Sequence, residues 1–235
     1  MPERIVIVAA MQREIYPLVR GWQRVGLKNG RGWGFENLMV VCGGVGAGPA
    51  ERATEEAVAA FQPKLLVSAG FAGALQAELR VPELVVAGSI VDAVSGETFS
   101  TADASARKVL LTTDSIAGPD SKRELALRFG ACAVDMEAAS VARVARRHGL
   151  GFRAIKVISD GVDCALPPFS RFLTADGEFR TRSFAFFLAA RPWLWPAIAR
   201  LGRDSAVAAG VLAETLRPLV QGNRKGGEVA SISTP

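Results

Sequence analysis

Three carboxylates lie at positions where they can act together on one ligand. Glu14 follows the apolar run RIVIVAA (residues 4–10), Glu137 opens a helix in VDMEAAS, and Asp160 follows the apolar run FRAIKVI (residues 152–158). Loops at the carboxyl edge of a parallel sheet lie side by side, so we expect the three side chains to meet there. Carboxylates grouped in this way indicate proton transfer or the binding of hydroxyl groups.

Other common chemistries lack their residues. His148, the only histidine, ends a helix beside two arginines, where a cation is expected for the helix dipole, so serine or cysteine nucleophiles have no base. Cys42, Cys132 and Cys164 form no CxxC pair, which excludes a zinc site and a disulfide framework and favours a reducing cytoplasm. No apolar stretch reaches the roughly 18 residues of a membrane span.

A glycine-rich turn follows a second apolar run. Residues 38–42 (LMVVC) lead into GGVGAG at 43–48, where backbone amides can approach a phosphate, a sugar or a base. A dinucleotide fingerprint would need glycine where Pro49 stands, and no GxxxxGK[ST] loop is present. The turn therefore indicates a ligand edge, or simply a tight strand-to-helix connection.

The elements that must position these residues alternate along the chain. We predict strands at 4–10, 38–42, 64–69, 84–87, 90–94, 107–112 and 152–158, and helices at 11–20, 50–61, 120–129 and 136–148. This pattern predicts a three-layer αβα fold with a mixed, mostly parallel central sheet, plus C-terminal helices. Residues 1–220 should form a single domain, with 183–220 as a helical extension punctuated by Pro192 and Pro196. The polar tail 221–235 should be disordered.

Several motifs resemble those of a known superfamily. AAMQREIYPLV, SAGFAGAL, VDMEAASVA and KVISDGVD, in this order, are similar to segments of the nucleoside phosphorylase and 5′-methylthioadenosine/S-adenosylhomocysteine nucleosidase superfamily. The later segments ALPPFSRFLTADGEF and RPWLWPAIARLGRDS resemble the hopanoid-biosynthesis-associated phosphorylases. The resemblance implies release of adenine from adenosylhopane. The alternatives are a methylthioadenosine/S-adenosylhomocysteine nucleosidase, a futalosine-type hydrolase and a non-catalytic nucleoside-binding module.

The resemblance also implies a role for each matching residue. Asp160 corresponds to the aspartate that shares a proton with purine N7, and Ser159 to the neighbour that holds it. Glu137 corresponds to the glutamate that accepts hydrogen bonds from the ribose hydroxyls, and Met136 to the methionine packed on the sugar. Glu14 corresponds to the glutamate that activates water.

Further substrate contacts are implied at a turn and on a loop. Phe71, Ala72 and Gly73 correspond to a turn beside the substrate, where nucleosidases usually have a small polar residue in place of Phe71. Ile116 falls near a base-stacking position, but the expected aromatic ring is absent.

Either water or phosphate can serve as the nucleophile in this superfamily. Glu14 favours water, whereas phosphorolysis requires an anion site and inorganic phosphate as co-substrate. The candidates for that anion site are Arg13, Lys156 and the turn containing Gly43, Gly44 and Gly46. Lys156 lies within an apolar strand, so its charge needs a partner such as Glu137 or Asp135. We expect no metal and no other cofactor.

The partners follow from charge and from the C-terminal segment. The net charge is +5 and the pI about 9.5, but the basic residues are scattered until the C-terminal third, which argues against nucleic acid. Between 184 and 203, aromatic side chains crowd together, with arginines flanking them from 182 onward, which suits peripheral membrane contact, an apolar mouth for a lipid-linked nucleoside, or a helix or subunit contact. These side chains are Phe184, Phe186, Phe187, Trp193 and Trp195, with Arg182, Arg191, Arg200 and Arg203. We expect a cytoplasmic or membrane-associated homo-oligomer.

Overall fold

A computed structural model describes residues 3–103, 105–174 and 176–222. The chain folds as a mixed α/β structure, which confirms the predicted fold class. Its strands are β1 (Ile5–Ala9), β2 (Gln23–Val25), β3 (Arg31–Phe35), β4 (Leu38–Cys42), β5 (Leu65–Ala74), β6 (Leu84–Asp92), β7 (Thr98–Ser100), β8 (Lys108–Thr112), β9 (Ala133–Asp135) and β10 (Gly151–Asp160). Its helices are α1 (Gln12–Val19), α2 (Ala47–Phe61), α3 (Pro119–Phe129), α4 (Ala138–Arg147), α5 (Thr181–Ala189) and α6 (Trp195–Gly222).

The sheet combines an open arm with a closed ring. In the arm, β5, β1 and β4 are parallel, and β3 and β2 continue it as antiparallel strands. In the ring, β5 pairs with β10, β10 with β6, β6 with β8, β8 with β9, and β9 with β5 again. Antiparallel pairs occur in both parts, so the sheet is more evenly mixed than the sequence predicts.

Helices cover both faces of the arm. Val6 and Val8 of β1 pack with α2 and α4, while Ile5 and Ile7 pack on the opposite face with α1 and α6. Strand residues alternate between faces, so a strand buried on both must be apolar throughout, as β1 is. The three layers follow from this pattern.

Helix α6 divides into two parts with different roles. Its C-terminal half belongs to the core, since Ala208, Leu212 and Leu216 are fully buried against α1 and the sheet. Its N-terminal half is largely exposed, as is α5. The helix continues through Pro218 to Gly222, two residues into the segment for which we predict disorder. The remainder of that tail, 223–235, lies outside the described residues.

Among the described residues, no helix is long and apolar enough to cross a membrane.

Candidate active site

A cleft of about 990 Å³ opens beyond the carboxyl ends of the central strands. Glu14, Glu137 and Asp160 all line it, although Glu14 and Asp160 are 146 residues apart in sequence. The other predicted site residues that line it are Met136, Ser159, Phe71, Ala72, Gly73, Ile116, Gly43, Gly44 and Arg13. Gly46 and Lys156 do not line the cleft. Each contacts a residue that does, Gly46 the side chain of Glu137 and Lys156 that of Asp135.

Asp160 ends β10 and is almost completely buried. Its Oδ1 accepts a hydrogen bond of 2.7 Å from the Ser159 hydroxyl, the contact that the resemblance implies. Its Oδ2 accepts one from the ammonium of Lys122, which the sequence reasoning did not identify. Lys122 comes from α3, is 1% exposed, and also donates to the Gly161 carbonyl at 2.8 Å. The carboxylate that faces the cleft is thus held by an ion pair.

Glu14 lies in the first turn of α1, and its carboxylate points back toward the residues that precede the helix. Oε2 accepts hydrogen bonds from the amides of Ala10 (3.1 Å) and Met11 (3.0 Å), and Oε1 from that of Phe71 (3.4 Å). Burial raises the pKa of Glu14 above its usual range, although these amides oppose the effect. A raised pKa suits a general base, which has to accept a proton near neutral pH.

Glu137 is the N-cap residue of α4 and also lines the cleft. Its Oε1 accepts a hydrogen bond of 2.8 Å from the amide of Gly46, which explains how that glycine contributes without lining the cleft. Burial, followed by the charge of Asp135, raises the pKa of Glu137 to about 7. The group therefore changes charge close to neutral pH.

Asp135 and Lys156 form a buried ion pair behind Glu137. Lys156 Nζ lies 2.8 Å from Asp135 Oδ2, as the need for a partner predicts. Burial opposes the charge on Lys156, but Asp135 and Glu137 outweigh it and raise the pKa of Lys156 above its usual range. Asp135 also accepts hydrogen bonds from the Thr112 hydroxyl and the Ala138 amide. Lys156 thus supports Glu137 electrostatically and does not line the cleft.

The glycines after position 69 do not form the predicted turn. Phe71, Ala72 and Gly73 belong to β5, which continues to Ala74 and pairs with β10 along this stretch. Gly70 has φ of +151°, and a Cβ there would lie 3.1 Å from Glu14 Oε2. Glycine is required because the Glu14 carboxylate packs on this part of the strand, not because the chain turns.

The first four amides of the glycine turn, those of residues 43–46, are engaged within the protein. Gly43, Gly44 and Val45 donate to the carbonyls of Ala9, Ala10 and Gly177, and Gly46 donates to Glu137. A bound phosphate would have to displace these hydrogen bonds. Of the predicted anion-binding groups, Arg13 is exposed and lines the cleft. Among the described residues it has no hydrogen bond that a phosphate would have to displace.

The outer wall of the cleft comes from the C-terminal segment and is mostly apolar. It includes the side chains of Leu166, Phe169, Leu173, Phe179, Phe184, Ile198 and Leu201. The phenylalanines pack edge to face, with Phe179 and Phe184 ring centroids 5.2 Å apart. Of these residues the sequence analysis named Phe184 alone.

Comparison with known proteins agrees with this architecture. The structure matches Helicobacter pylori 5′-methylthioadenosine/S-adenosylhomocysteine nucleosidase (20% identity, TM-score 0.70) and H. pylori futalosine hydrolase (21% identity, TM-score 0.70). It also matches the nucleosidase from Neisseria meningitidis (16% identity, TM-score 0.70). In each case 94% of this chain and 99% of the other chain are covered, and at these identities the likeness shows the fold. The comparison with curated proteins finds no significant match.

The sequence itself matches a family description over most of the described chain. The model of the phosphorylase superfamily matches residues 4–111 and 105–190, which contain all three carboxylates and Lys122. The chain belongs to the phosphorylase superfamily.

Proposed function

We propose that this protein cleaves the N-glycosidic bond of an adenine nucleoside that carries a large apolar substituent, with adenosylhopane as the substrate. One observation carries the proposal: Glu14, Glu137 and Asp160 line a single cleft whose outer wall is mostly apolar, with Asp176 and Glu178 beside the apolar side chains. The polar inner part fits a nucleoside, and the outer part fits a hydrocarbon group.

The chemistry of glycosidic cleavage fits the inner part of the cleft. Breaking the bond leaves positive charge on the sugar and negative charge on the purine, and groups placed to balance these charges lower the barrier. Ionised Glu137 accepts hydrogen bonds from the sugar hydroxyls, and Asp160 lies at the purine. Glu14 takes the proton from the attacking water.

The size and lining of the cleft support a substituent larger than a methylthio group. Ligand sites commonly have volumes of about 300–1,000 Å³, and this cleft, at about 990 Å³, is at the upper end. The rings of Phe169, Phe179 and Phe184 would be poor partners for a charged or strongly polar tail.

Water is the nucleophile that the site favours. Glu14 faces the cleft with a raised pKa, whereas the amides of residues 43–46 are engaged and Lys156 is paired with Asp135. We therefore propose hydrolysis, with phosphorolysis through Arg13 as the second candidate.

Adenine release from adenosylhopane and from 5′-methylthioadenosine, each with and without phosphate, tests these statements. We expect the higher kcat/KM for adenosylhopane and no change with phosphate. Higher kcat/KM for methylthioadenosine would favour the nucleosidase alternative, and a requirement for phosphate would exclude hydrolysis. No release of adenine from either compound would refute the proposed function.

We also propose that the segment from 179 to 203 binds an anionic membrane surface. It contains five arginines and no acidic residue. Phe186, Trp193 and Trp195 are 79%, 70% and 55% exposed, and interfacial segments combine such rings with basic residues. Two copies of this segment facing each other would bring like charges together, which favours anionic lipid over a second subunit. The cleft wall includes Ile198 and Leu201, so binding would present the cleft to lipid.

Flotation with phosphatidylglycerol vesicles tests the surface, with phosphatidylcholine vesicles as the neutral comparison. We expect wild type to float with the anionic vesicles and the Trp193→Ala/Trp195→Ala variant to lose most of this binding. Leu127→Ala is the control, because Leu127 is 90% exposed on α3, outside the segment. Equal flotation of all three proteins, or none, would refute the membrane proposal.

A further inference from the structure

A buried lysine on α3 has no evident structural purpose. Lys122, Leu125, Ala126 and Phe129 follow one another at the spacing of a single helix face, and the last three pack on the core. Lys122 is 1% exposed at the end of this face nearest the cleft. The Lys122–Asp160 pair as a whole adds little stability, because burying two charges costs about as much as their attraction returns, so an apolar pair of similar volume would serve the fold equally well.

The position of the ammonium suggests a chemical purpose. Lys122 Nζ donates to Asp160 Oδ2, while Ser159 donates to Oδ1, so both oxygens of Asp160 accept hydrogen bonds. In this geometry both oxygens act as acceptors, and neither donates a carboxyl proton toward the cleft. The departing purine nevertheless requires a proton at N7.

We propose that Lys122 is the source of that proton and that Asp160 relays it to the base. The inference rests on the proposed function and adds a residue to its mechanism. As the C1′–N9 bond breaks, its electron pair moves to the base. Lys122 Nζ gives a proton to Asp160 Oδ2, and Asp160 delivers that proton to N7. Water adds to C1′ and gives its proton to Glu14. The base leaves neutral, Lys122 is left neutral, and the proton held by Glu14 returns to Lys122 through solvent.

The surroundings of the pair contain few competing charges. The Cys164 thiol is close enough to feel both Asp160 and Lys122, and burial together with Asp160 raises its pKa, so it stays neutral. Arg123 on the same helix pairs with Asp120 and Asp163 at the surface. Glu14 and Glu137 bind amides at other positions in the cleft.

Two substitutions separate proton supply from charge. Lys122→Met removes both the proton and the positive charge. Lys122→Arg keeps the positive charge, but on a guanidinium group that does not give up its proton in proteins. Both variants should release adenine from 5′-methylthioadenosine about 10²–10⁴-fold more slowly than wild type at pH 7.5. Both should retain most activity on 4-nitrophenyl riboside, whose leaving group departs as a stable anion. Arg128→Met, on the exposed side of α3, is the control and should leave both rates unchanged.

The pH dependence of adenine release tests the relay independently of the nitrophenyl substrate. At low pH, Asp160 without its ion pair can take a proton from solvent, so the rate of Lys122→Met relative to wild type should rise as pH falls from 8 to 5. The relative rate of Lys122→Arg should not rise, because arginine keeps Asp160 ionised. If wild type is active, an unchanged adenine rate in Lys122→Arg, or a loss independent of pH in both variants, overturns the relay. If wild type releases no adenine, the proposed function fails, and the relay with it.

Discussion

Replacing Glu137 by glutamine should stabilise the protein at alkaline pH while abolishing its activity. Glu137 is 8% exposed, and burial with the charge of Asp135 raises its pKa from 4.5 to about 7. Glutamine has nearly the same shape and can still accept the hydrogen bond from the Gly46 amide. The substitution therefore removes the charge and keeps the contact.

The magnitude follows from the difference in proton binding between the folded and unfolded states. Below pH 4.5 both states hold the proton. Between 4.5 and 7 the unfolded state loses it first, so the free energy of unfolding falls as pH rises. At about 1.4 kcal/mol per pH unit, the full cost above pH 7 is about 3 kcal/mol. Glu137→Gln should recover most of this at pH 8 and little at pH 5.

Urea unfolding of wild type and variant at both pH values measures the effect. Taking the difference between the two proteins cancels the contribution of titrating groups that do not interact with Glu137. Glu124→Gln, which removes an exposed carboxylate on α3, controls for the loss of one charge. A variant that is less stable than wild type at pH 8 would show that ionised Glu137 is not a destabilising charge. In wild type, kcat/KM should rise with an apparent pKa near 7, because ionised Glu137 binds the sugar hydroxyls.

Three further substitutions test neighbouring parts of the site. Asp160→Asn leaves Lys122 buried without a counter-charge, so the free energy of unfolding should fall by about 3–5 kcal/mol by urea titration, and adding Lys122→Met should restore most of it. Glu14→Gln should lower kcat for adenine release about 10²–10⁴-fold with KM little changed, and an unchanged kcat would exclude it as the base. Gly73→Ala places a methyl group 3.0 Å from Asp160 Oδ2, so kcat should fall at least tenfold. Thermal unfolding should show that overpacking lowers the free energy of unfolding by about 1–3 kcal/mol. A normal kcat would show that the Lys122–Asp160 ion pair tolerates displacement.

The strands that the sequence predicts well are those buried on both faces. β1 and β4 read as continuous apolar runs because helices cover them on each side, and β10 departs from this pattern only at the ion-paired Arg153 and Lys156 and at its ends. β2, β3, β7 and β9 were missed because they are short or, like Arg31–Phe35, contain glycines and exposed positions that give no alternation. Closure of the ring depends on pairings between distant segments, which local patterns do not encode.

Glycine gave a misleading signal in β5 for a physical reason. In a single sequence, glycine that ends a strand and glycine that admits a neighbouring group look the same. Gly70 admits the Glu14 carboxylate, and Gly73 admits Asp160 and Lys122. The sequence marks both positions as special but does not say which group approaches them.

The position of Lys122 was readable in principle. Its helix presents an apolar face at 122, 125, 126 and 129, and a lysine at the first of these positions must be buried if the helix packs as its pattern indicates. A buried lysine requires a carboxylate, so the pattern predicts an ion pair without naming the partner. That the partner is Asp160 depends on how α3 approaches β10 in three dimensions.

The surroundings of the three carboxylates explain how one cleft can assign them different tasks. Asp160 has an ammonium within hydrogen-bonding distance, whereas Glu14 has only amides and Glu137 lies near another carboxylate. Such different surroundings allow one carboxylate to relay a proton while another accepts one. Glu137 can bind the sugar as an anion only when pH exceeds its raised pKa. The fold thus assigns a task to each of the three groups through the partners it brings to each.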